Sequence, residues 1–285
     1  MTDRHNTNRT TNRGMAAGCG TLLTVVLWVG LFVAAVRADY TANFDVSGNG
    51  KFELQQNTAN PPPPHLTNDV GGTNMFLRLN AAVSQNINSF TYDINDGALG
   101  FGSDLGAHNE IIADFDFRIA GTGDGFGFIL FDTAIYGRKE IVPRLGFQGV
   151  QVYHEPTATN SLGIGFDVHQ GTEGRIETND NHISIHFDTE LLAEFDVGTN
   201  VNLNSGDWIH AKITVRPGSG NSSVSVALTP TGGSPVIVVT NFNIGGMIPY
   251  ENRPHFGGRS GTFDTSTIDL DNINIQYNDP VPVSF

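Results

Sequence analysis

Cysteine is almost absent from this chain of 285 residues, and the only one, Cys19, lies near the N-terminus. The rest of the chain forms no internal disulfide, so its stability has to come from packing, sheet hydrogen bonds or a bound metal. Charged residues are also scarce, at 15%, and Asp and Glu outnumber Lys and Arg by 29 to 15. Because phosphate recognition needs clustered cations, we expect no nucleic-acid partner.

The first 38 residues have the arrangement of an export signal. Three arginines precede an uncharged, largely apolar stretch of 23 residues, Gly14–Val36, and Val36-Arg37-Ala38 offers small residues where a signal peptidase reads them. A helix of that length reaches about 34 Å, enough to span a membrane if it is not cleaved. Residues 1–38 are therefore predicted to be a signal peptide or an N-terminal membrane anchor, and the protein to be secreted or displayed at the cell surface.

From Asp39 onward no window keeps an apolar period of 3.6 residues, which argues against long helices. Alternating or β-branched runs recur instead between clusters of Gly, Asn, Asp and Pro. In one of them, Phe115 and Phe117 share one face while Asp114 and Asp116 share the other, as in a strand with one buried face. Residues 39–285 are therefore predicted to form a single all-β sandwich domain.

The predicted strands are Asn74–Asn80, Ser89–Ile94, Glu110–Ile119, Gly125–Phe131, Gly149–Tyr153, Leu162–His169, His182–Phe187, Trp208–Arg216, Ser222–Thr229, Val236–Thr240 and Ile268–Tyr277. The four consecutive prolines Pro61–Pro64 cannot lie in a central strand, since proline donates no ladder hydrogen bond. Residues 57–72 are accordingly predicted to be a surface excursion between the first strands.

Several segments resemble those of L-type lectins, in the same order along the chain. The segments are Gly121–Phe131 with its Asp124-Gly125 strand start, Leu162–His169, Asn181–His186, the Trp-led Gly206–Val215, and the closing pair Phe256–Phe263 and Ile268–Ile275. The resemblance covers roughly residues 44–277. It implies an antiparallel jelly-roll β-sandwich of the concanavalin A-like type, although a fold alone does not give a function.

The loop between Asp167 and His182 is rich in oxygen donors, which calcium prefers. The resemblance implies calcium and a transition metal here, with Asp167 as the shared carboxylate and His182 as the imidazole ligand. The second carboxylate is either Glu177 or Asp180. The family has a glutamate two residues before its aspartate, where this chain has Gly165, and that departure favours calcium alone. The alternative is a loop that is only solvated.

The resemblance also implies a sugar site. Asp124 matches the aspartate that accepts hydrogen bonds from sugar hydroxyls, Gly146 matches a backbone amide by order, and Phe147 or Tyr153 would supply a stacking ring. No asparagine aligns with the one in the family's metal loop. The alternative role of Asp124 is that of a turn residue that caps the strand start through its own backbone.

These observations favour a lectin-like carbohydrate-binding protein with a glycan ligand and a calcium cofactor, free to oligomerise and tied to a membrane only through an uncleaved leader. An adhesion module that binds protein is the alternative. A laminarinase-like glycoside hydrolase is third, because its Glu-x-Asp-x-x-Glu strand pattern is absent from the sequence. We therefore expect no enzymatic activity.

Overall fold

The computed structural model describes residues 38–45, 52–57, 62–94, 106–142, 145, 150–171, 177 and 179–280. The predicted signal peptide or membrane anchor, residues 1–38, lies outside these ranges except for residue 38, and its cleavage or anchoring stays a prediction. Within the described ranges, no helix is long and apolar enough to span a membrane.

Nearly all of the regular structure is β-strand, with one four-residue helix, α1 (Thr133–Tyr136). The strands are β1 (Ala38–Ala42), β2 (Phe52–Gln56), β3 (His65–Asn68), β4 (Met75–Asn80), β5 (Ile87–Tyr92), β6 (His108–Gly121), β7 (Gly125–Asp132), β8 (Leu162–Asp167), β9 (His182–Phe187), β10 (Glu190–Asp196), β11 (Ile209–Arg216), β12 (Ser222–Pro230), β13 (Val236–Ile244), β14 (Asn252–Arg259) and β15 (Ser266–Pro280).

The strands form two antiparallel sheets. One has the order β13-β12-β11-β6-β15-β4-β3, with β1 also pairing with β15, and the other has the order β10-β9-β8-β7-β14-β5-β2. Between them lies a core with many phenylalanine side chains, in which Phe126 and Phe166 stack with ring centroids 4.4 Å apart and Phe115 meets Phe256 edge to face at 5.0 Å. The predicted all-β antiparallel jelly-roll sandwich is confirmed.

The predicted alternation in β6 is also confirmed, since Phe115 and Phe117 are fully buried while Asp114 and Asp116 remain partly exposed on the other face. Two local predictions are wrong. Of the predicted strand Gly149–Tyr153, Gly149 lies outside the described residues, Val150 forms only an isolated bridge, and residues 151–153 belong to no strand because they form an irregular segment. The excursion at 57–72 contains β3, which starts directly after the prolines and pairs with β4.

The seven-stranded sheet carries a row of residues that have no side chain or a short one. Gly165, Gly127 and Gly257 are direct cross-strand partners on β8, β7 and β14, and Ser184 and Ser89 extend the row on either side. A Cβ atom at any of the three glycines would overlap a main-chain oxygen of residues 152–154. The row therefore leaves room for another stretch of backbone to lie directly on the sheet.

That stretch is Val152–Pro156, hereafter the crossing segment. Its residues cover successive strands in order, with Val152 against Gly257, Tyr153 against Gly127 and His154 against Gly165. On the next strand, the hydroxyl of Ser184 donates to the carbonyl of His154 at 2.9 Å.

A second, smaller core lies on the same side of this sheet as the crossing segment. It contains Ile129 and Phe131 of β7, together with Tyr136, Val142, Leu145, Val152 and Ala158. Because this face is covered, the central strands of the seven-stranded sheet are buried on both sides, and every residue of β7, β8 and β9 is buried.

Replacing Gly127 with Ala should destabilise the protein by about 1–3 kcal/mol, since the new methyl group would press on the crossing segment in a well-packed interior. The backbone of Gly127 has no positive φ, so the effect should be steric. Denaturant unfolding measures the difference. Gly245→Ala is the control, because no atom lies within 4 Å of its Cβ position, and equal stability of both variants would contradict this packing.

Candidate functional site

Asp124 lies at the turn where the chain passes from one sheet to the other, between β6 and β7. The residue is 5% exposed, and its carboxylate contacts the Arg259 Nε at 2.7 Å. Its carbonyl accepts a hydrogen bond from the backbone amide of Val168 at 3.0 Å, which ties this turn to the start of the 167–181 loop. An ion pair with Arg259, the last residue of β14, therefore holds the Asp124 carboxylate.

A pocket of about 440 Å³ opens beside this ion pair. Its lining residues are Asp124, His154, His169, Gly171, Arg259, Gly261, Thr262, Phe263 and Asp264. Phe263 stands on the turn between β14 and β15 and is 93% exposed, which is unusual for a phenylalanine and gives the pocket an apolar rim.

Tyr153 lies below this pocket instead of lining it. Its side chain is 1% exposed, and the guanidinium of Arg259 sits over its ring at 4.9 Å from the centroid. The ring therefore packs against the Arg259 guanidinium and is too buried to stack on a ligand. Gly146 and Phe147, the other predicted sugar contacts, lie outside the described residues.

The second part of the site is a buried group of carboxylates around His182. The Nε2 of His182 lies 3.8 Å from Asp167, 3.8 Å from Glu194 and 4.0 Å from Glu155. These distances exceed hydrogen-bonding range. Both His182 and Asp167 are fully buried, and the His182 Nε2 and Asp167 Oδ2 atoms have no hydrogen-bond partner among the described residues.

The other ring nitrogen of His182 is fixed. Its Nδ1 lies 2.7 Å from the Asn179 carbonyl, an acceptor to which the ring donates. This contact directs the Nε2 toward the carboxylates, as an outer hydrogen bond does for a metal-binding histidine. The Nε2 is therefore available as a metal ligand.

Carboxylates and His182 form two overlapping groups whose donor atoms lie within 4.8 Å of one another: Glu155, His182 and Glu194, and Glu155, Asp167 and Glu177. Of the predicted metal ligands, Asp167, Glu177 and His182 belong to these groups, whereas Glu155 and Glu194 are not among the residues that the sequence predicts. Glu155 sits on the crossing segment, and Glu194 sits on β10 directly opposite Ser184. Asp180 belongs to neither group and is exposed in another depression with Asn181 and Asn202.

These residues fit divalent cations. The second group offers only carboxylate oxygens, the donors that calcium takes, and the first adds an imidazole, which suits zinc and other transition metals. Two ligands on opposite sides of calcium lie about 4.6–5.2 Å apart, so a 4.8 Å spread is compatible with one ion. A bound cation would give a partner to the buried Asp167 Oδ2 and His182 Nε2 atoms.

Protonation in the cation-free protein follows from burial and from neighbouring charge. Burial raises the pKa of Asp167 to about 8. Burial alone would lower the pKa of His182, but the carboxylates of Glu155, Asp167 and Glu194 outweigh it and raise that pKa to about 9. Burial alone would raise the pKa of Glu155, but hydrogen bonding and charge from His182 and His186 hold it well below the ordinary value. The Nε2 of His186 lies 3.2 Å from the Glu155 carboxylate.

Comparison with solved structures shows which known proteins resemble this chain. No family model and no curated protein sequence matches it. Peanut lectin with a nonamer peptide superposes with a TM-score of 0.59 at 15% identity, covering 87% of this chain and 99% of that one. Lectin UEA-II complexed with galactose superposes with a TM-score of 0.58 at 15% identity, covering 85% of this chain and 98% of that one.

The exoplasmic/lumenal domain of VIP36, in a Ca²⁺- and Man-bound form, gives a TM-score of 0.50 at 14% identity, covering 82% of this chain and 84% of that one. At these identities the likeness establishes the fold. The chain has the concanavalin A-like fold of the legume lectins, as the sequence resemblance predicted.

Zinc binding near pH 7 should release about one proton per protein, since the surrounding carboxylates raise the pKa of His182 to about 9 and a metal-binding imidazole must be deprotonated. Affinity should accordingly rise from pH 6 to pH 9. Titration calorimetry of the full chain in two buffers that differ in ionisation enthalpy counts the protons. Identical heats in both buffers would contradict the assigned protonation.

Proposed function

We propose that this protein binds carbohydrate in the pocket between Asp124 and Phe263, and that calcium supports the site. The observation that carries the proposal is the exposed ring of Phe263 at the rim of a pocket with a carboxylate and a guanidinium at its floor. A sugar ring has an apolar face that packs on an aromatic side chain and hydroxyl groups that hydrogen-bond to polar groups.

The polar groups of the pocket include both donors and acceptors for hydrogen bonds to sugar hydroxyls. Asp124 and Asp264 offer carboxylate oxygens as acceptors, Arg259 offers N–H donors, and the Thr262 hydroxyl does both. Because Arg259 and Asp124 form an ion pair, they restrain each other's side-chain conformations. A largely preformed pocket with few convergent polar groups is the usual form of a small-ligand site.

The comparisons support this assignment without deciding it. UEA-II was solved with galactose and VIP36 in a Ca²⁺- and Man-bound form, and both share the sandwich that positions Asp124 here. We propose carbohydrate binding for this chain as well, because it has a suitable pocket of its own. Neutral glycans fit best, because the pocket combines one guanidinium with two carboxylates and has no excess of positive charge.

Calcium is proposed at the carboxylate group of Asp167 and Glu177. A carboxylate oxygen of Glu177 accepts from the Gly171 amide, and the backbone amide of His169 donates to Asp167 Oδ1 at 2.7 Å. Gly171 and His169 both line the pocket. When bound, calcium would supply positive charge that neutralises this group and keeps the pocket wall in place.

The place of action is proposed from the leader. A signal peptide or membrane anchor in residues 1–38 would place the sandwich outside the cell, where glycans are displayed. The acidic composition and the lack of cysteine after residue 38 are compatible with that setting.

Phe263→Ala should weaken glycan binding by at least about tenfold, or about 1.4 kcal/mol, because it removes the stacking surface. The measurement is a glycan-array screen of the full chain with calcium, followed by calorimetry on the strongest glycan. Phe263→Tyr should retain binding, and Ile248→Ala, which removes another exposed apolar side chain, should leave it unchanged. A blank array with and without calcium would refute the proposal and favour a protein-binding module.

Asp124→Asn should reduce affinity for the same glycan by about tenfold or more, since an amide keeps the shape but loses charge-assisted acceptance. Alanine is the poorer test, because deleting one partner of a buried ion pair costs about 3–5 kcal/mol of stability. Unfolding curves and calorimetry together separate the two effects. Unchanged affinity in a folded Asp124→Asn protein would remove Asp124 from the site.

A further inference from the structure

We infer that Glu155 is the shared ligand of two divalent cations and that these cations hold the crossing segment beneath the sugar pocket. The inference rests on the proposed function, whose ion dependence it explains. By resemblance the shared carboxylate would be Asp167, on the strand itself. The structure assigns this position to a residue from a different part of the chain.

Both cation groups contain Glu155. One joins it to His182 and Glu194, and the other joins it to Asp167 and Glu177, with all donor atoms of a group within 4.8 Å. The Nε2 of His182 and the Oδ2 of Asp167 are buried atoms without a hydrogen-bond partner among the described residues, one in each group. These two atoms distinguish the site from an ordinary cluster of acidic side chains, because each needs a partner that the described residues do not provide.

Glu155 reaches this position because of the glycine row. A side chain at residue 165 would overlap the carbonyl of His154, so a carboxylate there and the crossing segment exclude each other. With Gly165 in place, His154 lies on β8 and the next residue, Glu155, arrives over β9, where His182 and His186 point to the same face. The crossing segment thus brings the Glu155 carboxylate to this face of the sheet, where residue 165 carries no side chain.

This placement connects the cations to the pocket through three consecutive residues. His154 lines the pocket, and Tyr153 lies under Arg259, which in turn contacts Asp124. Cations that bind Glu155 would therefore hold Tyr153 and His154 in place, and with them the Arg259–Asp124 pair. Loss of the cations should release the crossing segment before it disturbs the sheet.

The test is the cation content of the full chain after equilibration with Ca²⁺ and Zn²⁺ and removal of free ions, measured by mass spectrometry of the metals. The unmodified chain should retain about two ions per molecule, one calcium bound by oxygens and one zinc that includes the imidazole. Glu194→Gln should lose the zinc alone and Glu177→Gln the calcium alone. Glu155→Gln should lose both.

Glu190→Gln is the matched control, since it changes an exposed glutamate on the same strand as Glu194 and should keep both ions. Two ions in Glu155→Gln, or none in the unmodified chain, would overturn the inference. If Glu155→Gln does not fold, the ion contents of Glu194→Gln and Glu177→Gln still decide whether two cation groups exist. Loss of the same ions in both variants would contradict two separate groups.

Hydrogen–deuterium exchange gives a readout independent of glycan binding. Peptides that cover residues 150–158 should exchange at least about tenfold more slowly with Ca²⁺ and Zn²⁺ than with chelator, whereas those of β6 should not change. Unchanged exchange at 150–158 would also refute the inference. Glycan binding that depends on Phe263 but not on Glu155 would leave the proposed function intact and reject only this coupling.

Discussion

The close approach of backbone to sheet along the row Gly165, Gly127 and Gly257 determines where the other parts of the site lie. Three cross-strand positions without side chains let main-chain atoms of the crossing segment rest directly on the sheet. Packing of this kind tolerates no added volume, because protein interiors are as dense as organic crystals. This packing sets where the segment lies on the sheet, and it places Tyr153, His154 and Glu155 beside their neighbours in the site.

The placement of Glu155 also determines the charges around His182. A buried histidine surrounded by three carboxylates is costly without compensation, since each charge has lost its hydration. In the cation-free protein, protons on His182 and Asp167 supply part of the compensation, as the raised pKa values of both groups indicate. Divalent cations compensate more completely. The net charge of −14 means that bound cations would also relieve the repulsion among acidic groups across the molecule.

The sequence predicts the sandwich well because strand alternation is local. Phe115 and Phe117 alternate with aspartates, and the same period is visible in the folded strand. The sequence also predicts Asp167 and His182 as metal ligands, with Glu177 or Asp180 as the second carboxylate, because these residues share one loop and its flanking strands. Glu155 carries no such signal, because its neighbours in space are set by the path of an irregular segment. From the sequence, Gly165 stands where the resemblance places a metal ligand, whereas in the structure it makes room for His154. In the sequence Phe263 ends a segment that resembles a closing strand, and only the turn geometry shows its ring to be exposed at the pocket.

The most direct measurement is a crystal structure of the full chain grown with Ca²⁺ and Zn²⁺, with anomalous differences collected above and below the zinc absorption edge. The account predicts a zinc peak about 2.0–2.2 Å from the His182 Nε2 and a Glu155 oxygen, with the crossing segment lying on Gly165, Gly127 and Gly257. A zinc ion bound without Glu155, or a crossing segment displaced from the glycine row, would contradict it.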